Sequence, residues 1–271
     1  MAQIRFSFVR VSWALSLKLA LIIGLFSLVL TPQVLLAKGI PQRWEANAYR
    51  PPVGLGAPRR TTGAGTRNPG SACPVAGKPL TALLPTNNFG VTVAAYPTFA
   101  VYMPALSPRT PPLPVEFLLQ DKNGNDIYKA NYQTSKTSGI VTFSLPSQAG
   151  LMPLEVGQDY KWSFSISCQP NDRSADMSVE GLVRRVQLNP TLRSQLKQAS
   201  PQKQVELYAE AEIWQDALAT LVQLRRDYPN DSAIATNWQK LMRAAGLDDM
   251  TQESLVPSPT TSERQSTGSK L

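Results

Sequence analysis

Between Tyr160 and Val186 the sequence alternates with a period of two on either side of a single turn. Trp162, Phe164, Ile166 and Cys168 alternate with Lys161, Ser163, Ser165 and Ser167. This is the pattern of a strand with one buried and one wet face. Pro170-Asn171-Asp172 supplies turn chemistry, because proline presets φ and Asn or Asp bonds its own backbone. On the return, Met177 and Val179 share one face, and Ser178 and Glu180 the other. Gly181 interrupts the arm and predicts a bulge. The stretch is a long hairpin that points Cys168 into a core, with an aromatic pair beside it. A chain organised around it is a β domain.

Further strands bracket this hairpin. Phe99, Val101 and Met103 alternate up to Pro104, and Val115, Phe117 and Leu119 alternate with Glu116 and Gln120. Tyr128, Ala130 and Tyr132 follow, then Val141, Phe143 and Leu145 before Pro146. Asn123-Gly124 between two such runs signals a hairpin, since both residues tolerate positive φ. Leu80–Leu84 predicts a short edge strand, and Asn87-Asn88-Phe89-Gly90 a turn. Short strands separated by Pro/Gly turns favour an immunoglobulin-like antiparallel β-sandwich.

At Asn189-Pro190 the period changes to that of a helix. Leu192 and Leu196 open it, Ser200 is an N-cap, and Pro201 stands at the first helical position. Apolar faces run through Val205, Tyr208, Trp214, Ala217, Leu221 and Leu224 to Tyr228-Pro229. Asp231 or Ser232 caps a further helix through Trp238 to Gly246. Tyr208, Ala217, Leu221 and Pro229 match the spacing of one tetratricopeptide repeat. One repeat cannot bury its own faces, so the helices pack on the sandwich or on a partner. The docking face expected for a partner is Tyr208, Trp214, Ala217, Leu221 and Trp238. The organisation is thus a signal peptide (1–37), an extended Pro/Gly/Arg-rich lead-in (38–70), a β-sandwich (71–189), a small α-helical tetratricopeptide-like region (190–250) and a disordered tail (251–271).

The N-terminus has the form of a secretory signal. Arg5, Arg10 and Lys18 precede an apolar run from Leu19 to Leu30, and Ala37 offers a cleavage site. Leu35 is large for its position, so an uncleaved anchor is the alternative. Without residues 1–37 the chain keeps 24 Lys and Arg against 19 Asp and Glu, a net charge of +5. Arg59-Arg60, Arg184-Arg185 and Arg225-Arg226 are pairs in solvated surface, or contacts to an anionic membrane surface, a polysaccharide or an acidic protein. Nucleic acid is disfavoured, because export removes the chain from most of it. The two cysteines, Cys73 and Cys168, form one bridge closing a loop of 95 residues, or remain thiols with one of them buried. Export favours the bridge.

Several chemistries are absent from the sequence. There is no histidine, which removes His-dependent hydrolase triads and His-based zinc sites. Gly63 and Gly65 lack the strand, helix and Gly-Lys-Ser/Thr of a phosphate loop. Asp121, Asn123 and Asn125 are spaced as in a calcium loop, but Asp126 and Tyr132 stand where Gly and Glu belong. No catalytic residue, metal ligand or cofactor is assigned. Asp172, Asp176 and Glu180 are a carboxylate set that a glycosidase could use, with a capped turn as the simpler reading.

Gly56-Ala57-Pro58, Gly63-Ala64-Gly65-Thr66-Arg67, Cys73, Pro97-Thr98-Phe99, Tyr102, Cys168, Asp172-Arg173-Ser174-Ala175-Asp176, Gly181 and Tyr208-Ala209-Glu210 occur in an order that resembles the cyanobacterial domain of unknown function family 928. The resemblance covers roughly residues 56 to 250. The interval between Arg67 and Cys73 is longer than that family's pattern, and Ala100 replaces an expected aromatic. The resemblance implies an exported cyanobacterial protein with no assigned activity and an envelope or secretion role. It carries over no catalytic residue.

Two functions follow as expectations. The first is a non-catalytic protein, either of the periplasm or cell envelope or secreted, that docks an envelope or secreted protein through its C-terminal helices. The alternative is a carbohydrate-binding or glycan-acting sandwich, with Trp44, Tyr49 and Tyr102 as its candidate sugar-facing aromatics.

Overall fold

The computed structural model describes residues 73–257, apart from residues 149 and 170. The expected signal segment, the expected lead-in with Trp44, Tyr49, Gly63 and Gly65, and residues 258–271 of the expected tail lie outside the described residues. In chain order the strands are β1 (Val75–Ala76), β2 (Thr81–Ala82), β3 (Phe89–Thr92), β4 (Thr98–Met103), β5 (Ala105–Leu106), β6 (Pro114–Gln120), β7 (Asp126–Gln133), β8 (Gly139–Ser144), β9 (Asp159–Ile166) and β10 (Met177–Arg185). The helices are α1 (Pro190–Gln198), α2 (Pro201–Glu210), α3 (Trp214–Asp227) and α4 (Ser232–Ala244). The described chain is mainly β, with its helices at the C-terminal side.

The strands form a five-stranded sheet in the order β3-β10-β9-β6-β7, a three-stranded sheet β2-β4-β8 and a two-stranded ribbon β1-β5. Alternation aims the large side chains of the two main sheets at each other. Phe99 of the smaller sheet lies 5.2 Å from Phe117 and 5.3 Å from Trp162 of the larger, centroid to centroid. Phe143 lies 4.5 Å from Phe117 and 5.4 Å from Phe164. Offset and tilted rings at such distances add to the free energy of burial itself.

Two local expectations change. Phe89 and Gly90 are strand rather than turn, because β3 pairs in parallel with Leu182–Arg185 of β10. All four β3 residues are buried, so the strand lacks the alternation that would have revealed it. The expected bulge at Gly181 is also absent. The β9–β10 register runs unbroken from Met177↔Ile166 to Arg184↔Asp159, and the irregularity falls between Leu119 and Gln120 on the β6–β7 pair. Gly181 serves close approach instead. A Cβ there would lie 2.9 Å from the Trp162 indole and 2.2 Å from Leu84 Cδ1.

The helices wrap around the β3 side of the sheets. Trp214, Leu218, Leu221, Trp238 and Leu241 join the same buried cluster as Phe99, Tyr102 and Ile140. Both faces of β4 are therefore covered: Phe99, Val101 and Met103 alternate with Ala100 and Tyr102, and all five are buried. Leu192, Leu196, Leu207 and Ile213 form a second cluster with Phe89 and Val91. Each buried side chain of this size contributes about 1.5–3 kcal/mol, so the seam between helices and sheets is a major part of the fold. Of the caps expected from the sequence, Ser200 and Asp231 accept from the backbone N–H groups of Lys203 and Ala233, and the structure adds Asn189, which accepts from Leu192 N–H. Gly246, at φ +72°, follows the end of α4.

The C-terminal segment returns as a strap along β8. Ile140 N–H donates to Ser254 O at 2.8 Å, and Val256 N–H to Ile140 O at 3.0 Å. Gly139 leaves room for it, since a Cβ there would lie 2.6 Å from Val256 Cγ1.

Candidate docking surfaces and comparison with known proteins

The face expected to receive a partner is already occupied by the chain itself. Trp214, Ala217, Leu221 and Trp238 are each at most 1% exposed. Trp214 Nε1 donates to Leu83 O at 3.0 Å, and Trp238 Nε1 to Met250 O at 3.3 Å. Arg225 lies 4.2 Å above the Trp238 ring. Tyr208 is half-buried against the second cluster, and burial raises its hydroxyl pKa. The expectation of a docking face on these five residues is corrected: their side chains join the helices to the sheets. Periodicity identified a buried face but could not say what covers it.

Two residues at this junction were missed by the sequence reading. Asp216, in the first turn of α3, accepts from Thr92 Oγ1 at 2.8 Å and Val93 N–H at 3.1 Å. Its carboxyl is enclosed although the residue keeps some exposure, and burial pushes its pKa up to about 6 against these two hydrogen bonds. Gln215, 2% exposed, covers Gly90, where a Cβ would meet its side chain at 3.0 Å. Polar residues at core positions of a helical pattern were the available signal.

The disulfide is formed. Cys73 and Cys168 are bonded with Cα atoms 4.7 Å apart, fixing the start of the described chain to the end of β9. The adjoining turn is held by its own charges. Asp172 accepts from Ser174 N–H and Oγ, and these bonds hold its carboxyl below the usual range. Arg173 bonds Asp176 at 2.9 Å and Glu116 at 3.1 Å, while Glu180 pairs with Lys161 at 2.7 Å. The three carboxylates of the glycosidase alternative are thus each engaged in turn or cross-strand pairing. Tyr102, the described candidate for a sugar-facing aromatic, is 3% exposed. Asp121 accepts from the N–H groups of Asn123 and Asn125 and from Asn125 Nδ2, so that loop closes on itself.

Other surfaces remain open. Beyond the part covered by α1 and α2, the outer face of the larger sheet presents Glu116, Lys129, Ser163, Ser165, Ser178 and Glu180. A cleft of about 360 Å³ lies between Lys78, Thr81 and Thr86 on one side and Gly246, Asp248 and Asp249 on the other. Lys78 is engaged there by Asp249 O and Glu253. Among the described residues, Met152, Val156 and Tyr228 are the large apolar side chains most exposed. Tyr228 follows α3 directly, beside the exposed Arg226 and Asp227.

A search of the curated proteins finds no match. The model of one family, described as Domain of Unknown Function (DUF928), matches residues 62–255, and the chain belongs to that family.

Proposed function

We propose that the chain is an exported, non-catalytic module of the cell envelope that docks a partner protein through the outward side of its C-terminal helices. The observation that carries this reading is Tyr228, 55% exposed at the end of a helix whose opposite face is locked into the core. An exposed aromatic beside Arg226, on a rigid support, has the composition of a binding hot spot. Within this reading the two sheets are an immunoglobulin-like sandwich and α2–α3 a tetratricopeptide-like pair. Residues 1–37 direct the chain to the periplasm or envelope of a cyanobacterial cell, where they are cleaved or kept as an anchor. A disulfide spanning 95 residues supports an oxidising compartment.

The test is affinity capture from an envelope extract with the chain from Lys38 onward and with its Tyr228→Ser variant. Deleting residues 200–250 would remove core side chains, so the point variant is the informative one. A specific envelope protein captured by the parent and reduced at least about tenfold by the variant supports the reading. Equal capture by both places docking elsewhere than Tyr228.

A further inference from the structure

The edge of a β-sheet is a template for another strand, and the outer strands of the two main sheets are protected in different ways. β3 meets α3, where Asp216 takes up Thr92 Oγ1 and Val93 N–H. β7 carries Asp126 and Lys129 along its length. β2 is only two residues long. β8, the other outer strand of the three-stranded sheet, has neither charge nor brevity to protect it. From Gly139 to Leu145 it reads Gly-Ile-Val-Thr-Phe-Ser-Leu, without a proline and rich in β-branched and aromatic residues. A segment of that composition on an open edge is prone to pair with copies of itself.

The C-terminal strap occupies this edge. Leu255 bridges Ile140 in parallel, through the Ile140–Ser254 and Val256–Ile140 backbone bonds. Val256 is buried, and Leu255 packs against the main core. Beyond the bridge, side chains hold the strap. Lys78 Nζ donates to Glu253 and to Asp249 O, and Arg225 Nη2 donates to Glu253 O at 3.1 Å. The Lys78–Glu253 pair is partly exposed, so salt screens it. One bridge and a few tethers thus hold a chain end that can lift away. Beneath it β8 keeps its own register with β4, from Thr98↔Ser144 to Met103↔Gly139.

We propose that the strap is a guard on β8, and that its release opens this edge to β8 of a second copy of the chain. The N–H and C=O of Ile140 that the strap bonds are the groups such a partner takes. An antiparallel second copy sets Ile140 opposite Ser144 and Val141 opposite Phe143, so no charge faces a charge and a β-branched side chain lies beside an aromatic one. The same strand serves both copies, so the contact closes at a dimer. The guard does not involve Tyr228, and it stands whether or not a partner docks there.

Two variants of the oxidised chain from Lys38 onward release the strap. L255D/V256D puts carboxylates where the strap is packed, and a chain ending at Met250 lacks the strap altogether. Molar mass is measured by light scattering after size exclusion over a concentration series. The parent is expected to keep the monomer mass, and both variants to rise toward about twice that mass. Ser144 is exposed on β8, and adding Ser144→Lys to either variant should restore the monomer, because lysine on an edge strand opposes pairing. A cooperative thermal melt separates pairing of folded copies from aggregation of unfolded chain. A parent that dimerises as the variants do, a strap-free variant that melts cooperatively yet stays monomeric, or a dimer that Ser144→Lys leaves intact would each overturn the proposal. Loss of the cooperative melt in both variants would overturn it as well, since the strap would then be part of the core and not a releasable guard.

Discussion

Replacing Asp216 with asparagine tests how the helices are joined to the sheets. The carboxyl has a pKa of about 6 in the folded chain, against 3.8 for the free side chain. A folded pKa raised above the unfolded one stabilises fully below pH 3.8, and that contribution is lost as the pH rises through 6. Two pKa units at 1.36 kcal/mol each make the loss about 3 kcal/mol by pH 7.5. In Asp216→Asn the amide oxygen accepts from Thr92 Oγ1 and Val93 N–H as the carboxylate oxygen does, and nothing titrates. Tyr208, the neighbouring titratable group, stays neutral across this range because burial raises its pKa. The unfolding free energy of the variant minus that of the parent should therefore rise by about 2.4 kcal/mol between pH 4 and pH 7.5. Urea titrations with the disulfide intact measure it, and titrations shared by both proteins cancel in the difference. A difference that stays flat with pH would show that Asp216 is hydrated and that the enclosed junction is not as described.

Two further outcomes follow from the core. Gly181→Ala should destabilise by about 3 kcal/mol, near the upper end for overpacking, because its Cβ would overlap Leu84 Cδ1 and the Trp162 indole; a thermal melt matching the parent would refute the close approach. Cys73→Ser with Cys168→Ser should lower the unfolding free energy by about 4–5 kcal/mol, the entropy of freeing a loop closed across 95 residues; the check is urea unfolding, and an unchanged midpoint would remove the disulfide from the stability of the fold.

The strands with one wet face were legible in the sequence because their alternation records that face. Phe117, Phe143, Trp162 and Phe164 all lie in the core where period two placed them. The β3 strand was not legible, because burial on both sides erases alternation, and its parallel partner β10 is separated from it by most of the sheet in sequence. Gly181 was marked as unusual, but a glycine records only that a side chain is excluded, not whether a bulge or a neighbouring indole excludes it. The helical faces were legible and their destination was not. An apolar stripe from Trp214 to Leu224 is the same stripe whether it meets a partner or the chain's own sheet. The polar residues within it carried the missing information. Gln215 and Asp216 interrupt the stripe on the side that meets Gly90, Thr92 and Val93, where a strand edge offers N–H groups that an apolar side chain would leave unsatisfied. A helix that docks on its own sheet needs such acceptors at fixed places. Asp216 therefore ties this helix to the edge of this sheet, while Tyr228, just past the end of the same helix, stays 55% exposed.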